Sequence, residues 1–404
     1  MLLAAVCGCA TAATPAPSKP GWKLVFHEEF DGTTADLDKD WTFQNGPSGH
    51  ILCSRWRENV VVTNGLCRLL NKKETRGGQE WTSGNIWTKE QYQYGYFECR
   101  YRYAAAKATN NSFWLMPTKK VPPGQKHFEI DINEGHFPNE VTSNIHNHSD
   151  VTVVNGKRTH PTSSRSYQFG VRPDVTIQLE NPIKTRRLRL TSTHGSYLHL
   201  GEFRIYNVNP AGYPDALSPT ADKDKPGLVN FARDPSTKIS TSGSVKEDAS
   251  TSKNLVDGRL ETRWTSQKEG EKWVEFTFPE DRVIGCVQFV SGYKSKDDWK
   301  SLLDNYRVAY HDGRQWVEMA AFDVSNGAYN FARDFHVFGF EWTEQELVWY
   351  LDGKELRREK NVFCLSPASV WLSLAIIPWA GEVTDAIDGT AMEVDYVRVY
   401  EKKK

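Results

Sequence analysis

Three carboxylates occur within one short stretch of the chain, "KHFEIDINEGH" at residues 126–136. Glu129, Asp131 and Glu134 are spaced two and then three residues apart. Paired carboxylates suit the hydrolysis of glycosidic bonds, in which one attacks the anomeric carbon and the other protonates the leaving oxygen. A third acid on the same face would hydrogen-bond the nucleophile and help to separate the pKa values of the pair.

The spacing sets a condition on the strand that carries these acids. Side chains alternate between the two faces of a β-strand, so Glu129 and Asp131 share a face while Glu134 falls on the other. A β-bulge around Ile132 and Asn133 would insert one residue and return Glu134 to the face of the other two acids. The alternative is that Glu129 and Asp131 form an exposed strand face and that Glu134 begins a solvated turn.

The remaining chain predicts mainly strands. Runs that alternate aromatic and polar residues, such as "GNIWTKEQYQYGYFECRYRYA", are typical of antiparallel sheets, and Asn64-Gly65 and Asp352-Gly353 are hairpin signals. Helical periodicity is almost absent, and only "DDWKSLLDNY" predicts a short helix. We therefore predict an all-β sandwich or barrel.

The acid-bearing segment and its flanking strands resemble glycoside hydrolase family 16. "FEIDINE" is similar to the bulged E-x-D-x-x-E signature of that family, and "LVFHEEFDG", "NSFWLMP", "DFHVFGFEWTEQELVWYLDG" and "MEVDYVRVYE" are similar to its other strands. The resemblance implies a β-jelly-roll sandwich of the concanavalin A type with a substrate cleft on its concave face. It also implies that Glu129 is the nucleophile, Asp131 its assisting acid and Glu134 the general acid/base, with no cofactor for catalysis.

A long insertion separates the two halves of this resemblance. We predict a catalytic jelly roll from residues 21–157 and 325–404, and an inserted second β-sandwich from residues 158–324. "STSKNLVDGRLETRW" and "KWVEFTFPEDRVIGCVQFVSG" resemble the first half of a discoidin (coagulation factor 5/8 type C) domain, which is carbohydrate-binding-module-like. The usual second half, "VTIQLENPIKTRRLRLTSTHGSYLHLGEFRIY", comes earlier. The swapped order predicts a circular permutation, and two incomplete tandem modules are the alternative.

The discoidin resemblance also implies a structural calcium site. The matching residues are Asp257, Thr262 and Glu202, whose oxygen ligands suit Ca²⁺. The alternative is that these are surface polar residues that hold no ion.

Substrate contacts are expected from aromatic, imidazole and guanidinium side chains. Flat aromatic rings stack on sugar rings, and guanidinium groups pair with oxyanions such as sulfate. The candidates are Trp87, Trp114, Trp379, His146 and Arg57. His146 shares a strand face with Asn144 and His148, and Arg55 is a second arginine of the same kind. Core tryptophans, a structural histidine and salt-bridged arginines are the alternatives.

The family resemblance implies hydrolysis of β-linked glucans or galactans. The segment "KKVPPGQKHFE" lacks the Trp-Pro and Gly that usually precede the signature in laminarinase-like members, whereas "NNSFWLM" and "SNIHNH" are more similar to the galactanases. We therefore expect a retaining endo-glycosidase that acts on a marine galactan, sulfated or not, such as agar, porphyran or carrageenan. An endo-β-1,3-glucanase, a transglycosylase and a non-catalytic carbohydrate-binding protein are the alternatives.

The N-terminal segment and the overall charge bear on location and partners. Residues 1–20, "MLLAAVCGCATAATPAPSKP", predict a signal or lipoprotein-type leader and linker, and thus export, either as a secreted or periplasmic protein or through a lipid anchor at Cys9 on the bacterial cell surface. No run reaches the roughly 18 apolar residues of a membrane helix. The net charge of −1 gives no electrostatic reason to bind nucleic acid. We expect a monomer whose partner is a polysaccharide.

Overall fold

The computed structural model describes residues 19–245, 251–295 and 298–403. Within these ranges the regular structure consists of β-strands and short 3-10 turns, so the predicted all-β class is confirmed. The helix predicted at "DDWKSLLDNY" is wrong, because Asp298–Lys300 is a strand, residues 301–304 are irregular and Asn305 begins another strand. Cys9 and most of the predicted leader lie outside the described residues. None of the helices in the described part of the chain has the length and apolar character of a membrane span.

Two antiparallel sheets form the larger body of the protein. The outer sheet contains eight strands, and the first of them pairs with the last. Its strands are β1 (Trp22–Glu28), β4 (Val60–Thr63), β5 (Leu66–Leu70), β8 (Gly95–Arg102), β24 (His336–Trp342), β25 (Glu346–Leu351), β26 (Lys354–Lys360) and β28 (Ala391–Lys402). The predicted turns join β4 to β5 and β25 to β26, where Asn64, Gly65, Asp352 and Gly353 all have positive φ, so both hairpin predictions are confirmed.

The second sheet, called the site sheet below, carries the three acids. Its seven strands follow one another in the spatial order β14-β11-β10-β9-β27-β7-β2. They are β2 (Trp41–Phe43), β7 (Asn85–Thr88), β9 (Thr109–Met116), β10 (Phe128–His136), β11 (Glu140–Asn147), β14 (Thr162–Gln168) and β27 (Ser369–Ile376). Short pairs flank the two sheets: β3 (Cys53–Arg55) with β6 (Trp81–Ser83), and β12 (Thr152–Val154) with β13 (Lys157–Thr159).

The two sheets enclose one apolar core. In β10, alternate residues Phe128, Ile130 and Ile132 are buried, as a strand with one core-facing side requires. They pack in the same cluster as Trp342 and Trp349 of the outer sheet. Burial of these large apolar side chains stabilises the sandwich and leaves the other face of the site sheet free for polar chemistry.

A third sheet is formed by the segment between the two halves of this sandwich. It contains seven strands and has its own apolar core, which includes Phe203, Phe276 and Phe289. The strands are β15 (Asp174–Ser192), β16 (His199–Asn207), β17 (Lys238–Thr241), β18 (Trp264–Thr265), β19 (Lys272–Ser291), β22 (Asn305–His311) and β23 (Trp316–Asp323). A small hairpin, β20 (Tyr293–Ser295) with β21 (Asp298–Lys300), projects from it.

The strand pairing moves one predicted boundary. The insertion was expected to begin at residue 158, but β14 hydrogen-bonds to β11 along its whole length and therefore belongs to the site sheet. Its sequence, "TSSRSYQ", has no apolar alternation, so its place in the sheet depends on the partner strand. The third sheet begins at Asp174 and ends at Asp323, close to the predicted end at 324.

Irregular elements and cysteines complete the description. Short 3-10 turns occur at Asp36–Asp38, Arg57–Asn59, Ala221–Lys223, Phe231–Arg233, Ser252–Leu255, Val324–Asn326 and Asp385–Ile387. The five cysteines of the described ranges are all buried and free: Cys53, Cys67, Cys99, Cys286 and Cys364.

Candidate active site

A β-bulge interrupts β10 where the sequence predicts one. Against β11 the register shifts between Asp131 and Glu134, and against β9 it shifts between Asp131 and Asn133. The extra residue brings Glu134 to the face that carries Glu129 and Asp131, and all three side chains line one cleft. The predicted bulge is therefore confirmed, and the solvated turn at Glu134 is not observed.

Buried polar side chains explain why the strand bulges here. Asn133 is fully buried, and its amide donates to the hydroxyls of Tyr101 at 2.5 Å and Tyr103 at 2.9 Å. The indole N–H of Trp349 on the outer sheet donates to the carbonyl of Asp131 across the core at 3.0 Å. These bonds satisfy buried polar groups at the bulge, where the regular ladder is broken.

The residue after the third acid must be a glycine, because Tyr103 packs directly against it. A Cβ atom at Gly135 would overlap the ring and hydroxyl of Tyr103. Asn111 also donates to the carbonyl of Gly135, at 3.0 Å. The motif "NEG" thus places a core-facing amide and a core-facing glycine on either side of Glu134, which points outward.

The sheet register aligns the acids with a row of aromatic residues. Trp87, Trp371, Trp114 and Asp131 are direct cross-strand partners on four neighbouring strands, and Asn144 continues the row. Trp371 stacks on Trp87 with ring centroids 4.3 Å apart and on Trp114 with centroids 4.5 Å apart. An aromatic platform therefore leads directly to the carboxylates.

Two asparagines fix the orientation of Glu134. The amide of Asn110 donates to its Oε1 at 2.6 Å, and the amide of Asn144 donates to its Oε2 at 2.7 Å. The Asn144 amide also donates to Oδ2 of Asp131, at 3.0 Å. One side chain thus bridges two of the three acids, and both oxygens of Glu134 have a donor.

A histidine holds Glu129. Nε2 of His148 lies 3.0 Å from Oε2 of Glu129. Burial raises the pKa of Glu129, but the His148 hydrogen bond and the charges of His146, His148 and His160 outweigh it, so the net pKa is lowered. Glu129 is therefore held as a carboxylate, which is the form that a nucleophile requires.

Asp131 has the opposite electrostatic environment. Its side chain is almost completely buried, and burial together with the nearby Glu134 and Glu129 raises its pKa to about 8. Nε2 of His146 lies 3.3 Å from Oδ2 of Asp131 and opposes this rise. Burial lowers the pKa of His146, but its interactions with Asp131, Glu129 and Glu134 produce a net increase. Asp131 and His146 are therefore coupled, and they hold a proton near neutral pH.

The acids lie in an open cleft of about 370 Å³. Trp114, Trp371 and Trp379 also line it, and Trp379 is 63% exposed. Trp87 is not among the residues that line the cleft; it stacks on Trp371, its partner on the neighbouring strand. Of the three predicted stacking residues, two reach the cleft, and Trp371 is an additional one.

The two arginines of "SRWREN" have different surroundings. The Arg57 guanidinium donates to the carbonyls of Thr34 at 2.7 Å and Val60 at 3.0 Å and stacks on Phe43, outside the cleft. The prediction that Arg57 binds substrate is therefore corrected, since its donors are used within the fold. Arg55 lines the cleft instead and is 8% exposed. Its Nε atom has no hydrogen-bond acceptor among the described residues.

The predicted calcium ligands have hydrogen-bond or ionic partners within the protein. They are Asp257, Thr262 and Glu202. The Asp257 carboxylate already accepts from the Thr262 hydroxyl at 2.8 Å. Glu202 accepts from the backbone N–H of Gly258 and faces Arg233 at 3.5 Å and Arg204 at 3.6 Å. Two arginines thus already face the Glu202 carboxylate, so this arrangement does not support the predicted calcium site, which stays a prediction.

One other group of side chains has metal-ligand geometry. Among the described residues, only Glu129, Asp131 and His146 bring three ligand atoms of carboxylate or imidazole type within 4.8 Å of one another. His148 and Asn144 already satisfy two of these groups, and acid-catalysed glycoside hydrolysis needs no metal.

The sequence profile of glycosyl hydrolases family 16 matches residues 50–174 and 308–398, which is more than half of the chain. The chain belongs to this family. The unmatched segment between the two ranges falls within the third sheet, which interrupts the family 16 domain.

Curated proteins whose sequences are similar to this chain include glucanases and a carrageenase. A beta-glucanase of Rhodothermus marinus is 29% identical over 185 residues, 41% of this chain and 64% of that protein. A kappa-carrageenase of Pseudoalteromonas carrageenovora is 28% identical over 181 residues, 39% of this chain and 45% of that protein. The family 16 chain thus spans less than two thirds of the length of these relatives. Among solved structures, the laminarinase catalytic domain from Thermotoga maritima matches 95% of this chain and 99% of that chain, with 17% identity and a TM-score of 0.47.

Some site residues of this family 16 chain escaped sequence reasoning. Asn110 and His160 drew no prediction, and Trp371 lies in a run, "SVWLSLAI", that resembles a fully buried strand. A signal was present for Trp371, because Ser369, Trp371 and Ser373 share one face and two of the three are polar. His146, predicted as a substrate contact, lies beside Asp131, with its Nε2 at 3.3 Å from Oδ2 of that acid.

Proposed function

We propose that this protein is a retaining endo-glycosidase that hydrolyses a β-linked polysaccharide. The observation that carries the proposal is the bulge in β10, which places Glu129, Asp131 and Glu134 on one face at the floor of an open cleft. A cleft that is open to solvent can admit an internal segment of a polymer, and the tryptophans that line it suit stacking on sugar rings.

Each acid has a role that its surroundings support. Glu129, held ionised by His148, attacks the anomeric carbon and forms a glycosyl ester while the glycosidic bond breaks. Glu134, oriented by Asn110 and Asn144, gives its proton to the leaving oxygen. Water then attacks the same carbon, Glu134 takes the proton of that water, and the ester to Glu129 breaks, so the anomeric configuration is retained.

Asp131 lies between Glu129 and Glu134 on the strand and assists both of these acids. It shares the donor Asn144 with Glu134 and, with His146, holds a proton near neutral pH. A neutral Asp131 does not repel the Glu129 carboxylate.

The substrate that we favour is a galactan, sulfated or not, of the agar, porphyran or carrageenan type. The buried Arg55 supports a polymer with anionic groups, because its Nε has no acceptor among the described residues and a guanidinium is complementary to a sulfate or carboxylate. The kappa-carrageenase similarity agrees with this choice. The beta-glucanase similarity favours the second candidate, an endo-β-1,3-glucanase.

We also propose that the third sheet is one circularly permuted discoidin-like domain. The two segments that resemble its halves, β15 and β19, pair with each other along nearly their whole length. This pairing supports one domain rather than two incomplete modules. Export, with or without a lipid anchor at Cys9, agrees with an extracellular polymer as substrate and remains part of the proposal.

The test is a polymer panel. Laminarin, lichenan, agarose, porphyran and carrageenans are incubated with the wild-type protein and with Glu129→Gln, and the products are sized. We expect the wild type to shorten a galactan and the variant to bind the same polymer without cutting it. Cleavage of laminarin alone would select the glucanase candidate. Binding without cleavage by the wild type would overturn the enzyme proposal.

A further inference from the structure

A second pocket lies where the third sheet meets the site sheet. It encloses about 300 Å³, and five parts of the chain line it: the loop before β9, the β10–β11 turn, β14, the loop after β27 and the segment that forms the third sheet and its hairpin. The residues that matter most here are His136, Glu140, Trp379, Ser196, Tyr293 and Trp299. Polar side chains and aromatic rings thus alternate around its wall, as in sites that bind sugars.

The pocket adjoins the active-site cleft. Trp379 lines both, and its ring is 63% exposed, which makes it one of the most exposed large apolar side chains of the described chain. Along β10 the cleft-facing Glu134 is followed two residues later by His136, which lines the pocket. A polymer that lies across the acids therefore passes Trp379 into this pocket.

The third sheet is held in place at this junction. Lys107, from the loop before β9, forms an ion pair with Asp304 at 2.9 Å, and His194 contacts the same carboxylate at 2.8 Å. The Asp304 side chain is 9% exposed, and this burial raises its pKa. The charges and hydrogen bonds of His194 and Lys107 outweigh the effect of burial, so the pKa of Asp304 lies well below its ordinary value. Asp304 is therefore ionised at neutral pH, and its contacts with Lys107 and His194 fix the wall of the pocket.

Two glycines make room for this ion pair. A Cβ atom at Gly195, in the inserted segment, would come within 2.7 Å of Cδ of Lys107, and one at Gly381 would come within 2.9 Å of its Cβ. The Lys107 side chain thus passes between two close-packed backbones. The wall that the third sheet contributes is pre-formed, which lowers the entropy lost on binding.

The wall also contains an unsatisfied polar atom. Nε2 of His136 is buried and has no hydrogen-bond partner among the described residues, while its Nδ1 lies 3.7 Å from Oε1 of Glu140. A buried ring nitrogen without a partner costs free energy unless a ligand or water pairs with it. A sugar hydroxyl can serve this nitrogen as donor or acceptor.

We propose that this pocket is a distal sugar subsite, in which the inserted domain binds a further unit of the polysaccharide chain that the three acids cleave. The inference rests on the proposed function for the identity of the polymer, but the pocket and its lining do not depend on it. It gives the insertion a direct part in substrate binding.

The experiment replaces two pocket residues of the inserted domain, one by a larger side chain and one by a smaller side chain. Ser196→Trp occupies the space, and Trp299→Ala removes an aromatic wall. Val283→Trp is the matched control, because it places the same ring on an exposed strand of the third sheet that lines neither cavity. Thermal unfolding of each variant confirms that it folds like the wild type.

Two substrates separate the subsite from the chemistry. Against the polymer that the wild type cleaves in the panel, we expect the two pocket variants to lose about three- to tenfold in kcat/KM, mainly through KM, since one aromatic contact contributes on this scale. Against the shortest oligosaccharide that the wild type cleaves, the same variants should match the wild type. The Val283→Trp control should match it on both substrates.

Binding provides a readout that does not need catalysis. In affinity electrophoresis through gels that contain each polymer of the panel, Ser196→Trp combined with Glu129→Gln should be retarded less than Glu129→Gln alone. Equal retardation of the two on every polymer, or equal losses on polymer and short oligosaccharide, would overturn the subsite. Failure of the wild type to cleave any polymer would overturn the proposed function instead. The effect of Ser196→Trp on the retardation of the protein in the gels would still be measurable.

Discussion

Replacing His148 should move the acid limb of the pH–activity profile. His148 is the nearest partner of Glu129, with Nε2 at 3.0 Å from the carboxylate, and the Glu129 side chain is only 24% exposed. In His148→Ala the hydrogen bond and one neighbouring charge disappear, while the burial that raises the pKa of Glu129 remains. The pKa of Glu129 must therefore rise.

The size of the shift follows from the lost bond. A hydrogen bond to a charged group contributes about 1.5–3 kcal/mol, and one pKa unit corresponds to about 1.4 kcal/mol. Water reaches the exposed quarter of the side chain and replaces part of the loss, so we expect a rise of about one unit. Because the nucleophile must be ionised, the acid limb of kcat/KM should move to higher pH by the same amount, with activity largely recovered above it.

The assay is the initial rate of reducing-end release from the cleaved polymer between pH 4 and pH 9. His148→Gln keeps a donor without the positive charge and should shift the limb less. His127→Ala is the control, since Nε2 of His127 contacts the carbonyl of Pro117 at 3.2 Å rather than an acid. An acid limb that stays in place in His148→Ala, or that moves to lower pH, would refute the reasoning.

Three further outcomes are expected. Arg55→Gln should reduce kcat/KM on an anionic polymer about 10- to 100-fold, because a charge-assisted hydrogen bond contributes on this scale, and it should change kcat/KM on a neutral polymer little. The matched variant Arg57→Gln should lower the stability of the protein and should not change its preference between the two polymers. Gly135→Ala should lower the free energy of unfolding by about 1–3 kcal/mol or more in urea titrations, because the new methyl group overlaps Tyr103, and an unchanged midpoint would contradict that packing. Treatment with EDTA should leave the melting temperature unchanged, because arginines and not Ca²⁺ face Glu202, and a drop of several degrees would restore the calcium site.

The catalytic strand could be predicted because its pattern is local. Alternation of Phe128, Ile130 and Ile132 fixes the buried face, and the acid spacing then requires a bulge before Glu134. The hairpins at Asn64-Gly65 and Asp352-Gly353 were predictable for the same reason, since few residues adopt positive φ at both turn positions.

Other features depend on contacts that are distant in sequence. Arg55 and Arg57 have the same parity, but the strand ends at Arg55 and a 3-10 turn begins at Arg57, so only one of them faces the cleft. The polar strand β14 joins the site sheet only because β11 offers a free edge. The calcium motif gave no sign that Arg233, 31 residues along the chain from Glu202, would face that carboxylate.

The central claim is that Glu129 is the nucleophile on a bulged strand. The most direct measurement is mass spectrometry of peptides after reaction with an activated 2-deoxy-2-fluoro oligosaccharide derived from the cleaved polymer. We predict one stoichiometric adduct, on Glu129, that forms in the wild type and not in Glu129→Gln. An adduct on Asp131 or Glu134, or no adduct in an enzyme that the reagent inactivates, would contradict the account.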